Sequence, residues 1–153
     1  MKILILSDSH GRKNLMLDAI DAEEPELIIH LGDYDKDCAE IGALFPQIPL
    51  RSVRGNCDYS SSGPDRDEFV LEGKRFYMTH GHLHSVKTGL SSLIAYAGSR
   101  NIDIALFGHT HIPHYSVTDG VTLINPGSIG IPSTTYAVLD IQNGVFSCFI
   151  QDA

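Results

Sequence analysis

The chain has 153 residues, 42% hydrophobic and 20% charged, which argues against disorder and predicts a single domain spanning 1–153. Its formal net charge of -8, with 19 acidic against 11 basic residues and no Lys/Arg cluster, argues against tight binding to duplex nucleic acid. Three cysteines in unrelated contexts (Cys38, Cys57, Cys148) do not make a disulfide framework, and no run approaches the roughly 20 apolar residues of a membrane span, so a cytoplasmic setting is expected.

Residues 2–6 form an unbroken aliphatic run, the pattern of a strand buried on both faces. Leu15, Met16, Ala19 and Ile20 then show helical spacing, which Pro25 ends. Leu27–Leu31 repeats the strand pattern up to Gly32-Asp33, and a short helix is expected over 37–44. A further strand over 50–54 runs into Gly55-Asn56-Cys57-Asp58. Residues 59–66 read as a loop, either a mobile rim over a pocket or an exposed connector. Residues 67–71 and 74–79 pair about Glu72-Gly73, and the spacing of Leu90, Leu93, Ile94 and Ala97 predicts a helix over 86–98. A strand at 103–107 ends at Gly108. Beyond it the pattern is β: 114–118, 121–125, 135–141 and 145–150, the last two joined by Asn143-Gly144, a tight-hairpin signal. Two sheets packed face to face with helices outside satisfy this α/β order.

Five of these runs end in residues of one chemical kind. Asp8 and His10, Asp33, Asn56, His80, then His109 and His111 each follow a predicted strand, and ligands of open α/β sheets bind outside the carboxyl ends of strands. A solvated turn carboxylate would explain Asp8 or Asp33 alone, but one metal centre explains all seven residues together. Seven ligands are too many for one ion and suit two sharing a bridging carboxylate. Imidazole, carboxylate and amide without an obligatory thiolate suit Mn, Fe, Ni, Co or Zn in open geometry. The expectation is two divalent ions per chain, manganese first. Two-metal centres with ions about 3.5–4 Å apart clamp the attacking and leaving oxygens of a phosphoryl displacement.

The ordered set D-x-H, G-D, G-N-C-D, H-G-H and G-H-T-H, with N-P-G-S at 125–128, resembles the calcineurin-like metallophosphoesterases, and most of all their small YfcE-type phosphodiesterase branch. The resemblance implies a four-layer αββα sandwich with two mixed sheets. It also implies that Asp8, His10 and His111 hold one metal, that Asn56, His80 and His109 hold the other, and that Asp33 bridges them. A metal-bridging hydroxide would attack phosphorus in line, with Asn56 also touching the phosphate. Where the wider family has histidine in G-N-x-D, this chain has Cys57, as does the small-phosphodiesterase branch. A thiol brings no positive charge and is a poor proton donor to an alkoxide, so aryl or activated esters are the expected substrates.

Asn56, Cys57 and Asp58 are therefore the candidate catalytic residues, with Asp58 orienting its neighbours. Asn56, Arg54 and His82 are the candidate substrate contacts, although Arg54 could equally pair with a surface carboxylate. His30, inside a predicted strand, reads as a core histidine. The expected partner is a small-molecule phosphodiester, and self-association stays open. The competing readings are a phosphomonoesterase or nucleotidase using the same centre, and an interaction scaffold of the Vps29 kind. Loss of ligand histidines would mark the scaffold, and none is lost here.

Overall fold

In the computed structural model, which describes residues 1–153, the strands sort into two five-stranded sheets. The first joins β1 (Lys2–Leu6), β2 (Leu27–His30), β3 (Leu50–Ser52), β9 (Thr135–Gln142) and β10 (Val145–Asp152) in the order β10-β9-β1-β2-β3. The second joins β4 (Arg66–Leu71), β5 (Lys74–Thr79), β6 (Ile104–Leu106), β7 (His114–Thr118) and β8 (Val121–Asn125) in the order β4-β5-β6-β8-β7. Both sheets are mixed: the first has parallel β1-β2-β3 running to one edge and antiparallel β9-β10 at the other, and the second has a parallel centre, β5-β6-β8, with antiparallel flanks. Helices α1 (Lys13–Glu23) and α2 (Asp35–Leu44) pack on the first sheet, and α3 (Ser91–Ser99) on the second.

The aliphatic runs are unbroken because both faces of the central strands are covered. In β1, Ile3 and Ile5 enter the core between the sheets with Ile29, Phe76, Met78 and Leu106. Leu4 and Leu6 point the other way, against Met16 and Ile20 of α1 and Ile41 of α2. Across the second sheet, Tyr77, Ala105 and Leu123 meet Leu93 and Ala97 of α3. Each fully buried aliphatic side chain contributes about 1.5–3 kcal/mol relative to exposure, so three such layers clamp the strands and fix where their ends fall.

One expectation changes. The helix predicted over 86–98 begins only at Ser91; before it lie a 3-10 turn at His82–His84 and a loop in which Gly89 has φ 150, outside any helical region. The C-terminal strands divide between the sheets, β7 and β8 in the second and β9 and β10 in the first. β8 lies parallel to β6, while β9 crosses to the other sheet and pairs antiparallel with β1. The crossing is made by the segment after Asn125, where the Ile129 amide donates to the Ser7 carbonyl (3.0 Å).

Candidate metal centre

The carboxyl ends of β1, β2, β5 and β6 meet along one edge, and backbone hydrogen bonds stitch them there. The Asp8 amide donates to the Gly32 carbonyl (3.0 Å) and the Gly108 amide to the His80 carbonyl (2.9 Å). Glycine is required where the chains cross. A Cβ on Gly108 would collide with Ser7 Oγ, and one on Gly55 would collide with the Asp33 carboxylate.

Asp8, Asp33 and His80 are buried on this edge, with His10 and His111 half-buried beside them. Asp8 Oδ1 lies 3.0 Å from His111 Nε2 and 3.9 Å from both His10 Nε2 and His80 Nε2. Asp33 Oδ2 lies 3.5 Å from His80 Nε2 and 3.9 Å from His10 Nε2, between histidines of the two sets expected to hold separate ions. Asp8 with His10 and His111, and Asp8 with Asp33 and His80, form two groups whose ligand atoms lie within 4.8 Å of one another. Asp8 thus touches both groups, which spacing alone did not show.

The arrangement of ligand atoms favours a cation here. His80 Nδ1 is 2.8 Å from the Leu31 carbonyl, which can only accept, so Nδ1 carries a proton and Nε2 is the nitrogen turned to the site. Nε2 faces Asn56 Oδ1 at 3.0 Å and His109 Nδ1 at 3.1 Å, with Asp33 Oδ2 at 3.5 Å. All four are atoms of the kind that ligate metals, brought to one point. His10 Nε2 is buried with no hydrogen-bond partner, as is His82 Nδ1. The residues fit a metal centre.

Burial alone would raise the Asp33 carboxyl, but His80, the Cys57 amide (2.9 Å) and His10 outweigh it and hold it ionised below the usual carboxylate range. Burial, reinforced by His80, pushes His109 down to about 4 and lowers His82, so both are neutral, as ligation demands. Burial also raises the Cys57 thiol, with Asp33 adding to the effect.

Asp58, expected to orient its neighbours, is 7% exposed and accepts four backbone amides. One oxygen takes Asp33 N (2.9 Å) and Gly55 N (2.7 Å), the other Tyr34 N (2.7 Å) and Asp35 N (3.0 Å). It therefore ties the Asp33 turn to the Asn56 turn and keeps no oxygen lone pair facing the site. Arg54, expected to face substrate, instead pairs with Asp65 (2.5 Å) and donates to the Ser61 carbonyl (3.2 Å). His82 lies beside His80 and His109 with its ring tilted to theirs, centroids 5.5 and 6.1 Å away. His30 is fully buried and accepts from Gly32 N (3.2 Å).

Three supporting residues escaped the sequence reading. Asp37 pins the Asp8–Gly11 turn through Ser9 Oγ (2.7 Å) and Gly11 N (3.0 Å). Asn125 holds the His109–His111 turn by donating to the Gly108 carbonyl (3.1 Å) and Thr110 Oγ1 (3.0 Å). Only N-P-G-S hinted at Asn125. Tyr34 directly follows Asp33 and stands edge-on to His10, with ring centroids 5.3 Å apart.

Residues 1–144 match the calcineurin-like phosphoesterase superfamily domain. YsnB of Bacillus subtilis (strain 168), a probable metallophosphoesterase, is 36% identical over 152 residues, covering 94% of this chain and 86% of that protein. The phosphodiesterase YfcE of Escherichia coli (strain K12) is 33% identical over 169 residues, covering 92% and 88%. Among solved structures, a conserved Streptococcus pneumoniae TIGR4 protein described as a predicted phosphoesterase superposes with a TM-score of 0.83 at 26% identity, covering 99% of this chain and 88% of that one. Vps29 of Entamoeba histolytica, complexed with zinc, shares the fold at a TM-score of 0.78 and 19% identity, covering 99% of each chain.

Proposed function

The chain belongs to the calcineurin-like phosphoesterase superfamily, and we propose that within it the protein is a phosphodiesterase that uses two divalent metal ions on a small or activated phosphodiester. The observation that carries this reading is the convergence of four ligand-type atoms, His80 Nε2, Asn56 Oδ1, His109 Nδ1 and Asp33 Oδ2, beside a buried His10 Nε2 that has no hydrogen-bond partner. A relative named a phosphodiesterase, YfcE, favours the diester over the monoester.

In this reading Asp8, His10 and His111 hold one ion, Asn56, His80 and His109 the other, and Asp33 is shared. When bound, the ions would neutralise phosphate charge and bring a water from a pKa of about 15.7 toward about 7. Manganese is the first candidate, with Ni, Fe, Co and Zn as alternatives.

The chain's own groups do the rest. Asn56 turns Oδ1 toward His80, which leaves Nδ2, 3.7 Å from Cys57 Sγ, on the open side as a donor to a phosphate oxygen. His82, neutral and beside His80 and His109, is a second phosphate contact. Cys57 stays an uncharged thiol and stabilises a departing alkoxide poorly, which selects leaving groups that need little protonation. Asp58 positions Asp33 and Asn56. Arg54, held by Asp65, braces the 59–66 loop.

The test is hydrolysis of bis(p-nitrophenyl) phosphate and of p-nitrophenyl phosphate by metal-stripped protein, with Mn²⁺, Ni²⁺, Co²⁺, Zn²⁺ or Mg²⁺ restored. Diester cleavage that requires metal and is abolished by Asp33→Asn is the expected result. Cleavage of the monoester alone would make the protein a phosphomonoesterase. Inactivity with every metal, despite two bound ions, would sink the catalytic reading.

A further inference from the structure

Beside the ligand cluster lies a cavity of about 570 Å³, continuous with it through His10 and Cys57. That is the size of a pocket for a small organic group rather than for a phosphate alone. Its walls include two tyrosines that follow site motifs directly in sequence, Tyr34 after Asp33 and Tyr59 after Asp58. Both rings are open to solvent, Tyr34 at 44% and Tyr59 at 89%.

Tyr34 is not placed there for packing. Its backbone sits at φ 72, a left-handed conformation that a bulky side chain adopts only when its surroundings impose it. Here Asp58 imposes it by accepting the Tyr34 amide at 2.7 Å. One ring edge rests against His10, which leaves the rest facing the cavity. The remaining walls are Ser60 and Ser61 with one base, Lys36, and two acids, Asp35 and Asp58, of which Asp58 is already taken up by four backbone amides. Exposed aromatic rings with hydroxyls, and no surplus of cations to draw a second anion, suit a planar, uncharged ring with polar edges.

We propose that this cavity receives an aromatic arm of the substrate, so that the phosphodiester carries an aryl or nucleobase ring seated against Tyr34 and Tyr59. The inference rests on the proposed phosphodiesterase site and narrows its substrate class.

Calorimetric titration of the metal-loaded protein tests it without turnover. The ligands are inorganic phosphate, methyl phosphate against phenyl phosphate, and ribose 5-phosphate against AMP. Phenyl phosphate is expected to bind at least about tenfold more tightly than methyl phosphate, or AMP than ribose 5-phosphate, the scale of one aromatic stacking contact. The pair that shows the gain identifies the ring as aryl or nucleobase. Tyr34→Asn, chosen because asparagine tolerates the left-handed backbone, and Tyr59→Ala, in an exposed loop, should each bring the ratio toward one. Phosphate binding with no gain in either pair, or a gain that survives both substitutions, overturns the aromatic-arm proposal and leaves the metal site standing. Failure of all five ligands to bind brings down the site reading and this inference together.

Discussion

The two edges of the sheets use the same unusual backbone for opposite reasons. On the edge away from the ligands, Glu72, Asp119 and Asn143 have φ of 50, 52 and 51, and each precedes a glycine at φ 77–80. These pairs close the β4–β5, β7–β8 and β9–β10 hairpins, where two consecutive left-handed residues match the twist of the strands. The conformation there is a local choice written in the dipeptide. On the ligand edge, Asp8, His10, Asp33, His109 and His111 have φ between 45 and 71, and none of them is followed by such a turn pair except His10, before Gly11. Asp58, Asp37, Asn125 and the crossing glycines hold them there from elsewhere in the chain. Left-handed residues are thus cheap where the turn asks for them and strained where a site does.

That contrast breaks if substitutions at the two edges cost the same. Gly55→Ala should be the most damaging, because its Cβ collides with the Asp33 carboxylate and would lie 2.5 Å from the Asp33 amide. A loss of about 3 kcal/mol or more in urea unfolding is expected, with metal binding lost, since backbone has nowhere to yield. A loss under about 1 kcal/mol would show that the edge is not rigidly clamped. Asp58→Asn keeps the shape but exchanges one acceptor oxygen for a donor beside two amides. It should cost about 2 kcal/mol by the same measurement and also depress metal-dependent activity.

His30 sharpens the comparison through pH. Burial, only partly offset by Asp8 and Asp58, lowers it from 6.5 to about 4 in the folded protein. A depressed folded value means that the unfolded chain takes up the proton first. The stability contributed by neutral His30 is therefore complete above 6.5 and lost as pH falls through about 4. Between about pH 6.5 and about pH 5, metal-free protein should lose about 1.5 kcal/mol that a His30→Gln variant keeps. Parallel pH slopes for the two proteins would refute this. The smallest effect belongs to the hairpin edge: Asn143→Ala, replacing a residue that tolerates φ 51 by one that does not, should cost about 1 kcal/mol or less, with metal binding unchanged.

The sequence by itself determined the repeated strand-then-ligand rhythm, the hairpins at 72–73 and 143–144, and the identity of the residues that meet on one edge. These are legible because apolar periodicity and turn dipeptides act over a few residues, and because strand ends in such sheets share an edge. Only the tertiary structure decided that β9 leaves its neighbours to pair with β1, that Asp8 reaches both ligand groups, and that Asp58 serves backbone amides. It also turned Arg54 to Asp65 and opened a cavity beside Tyr34. Each of those depends on contacts between segments far apart in the chain, such as Asp8 with His111 and Asp33 with Cys57, whose geometry no local pattern carries.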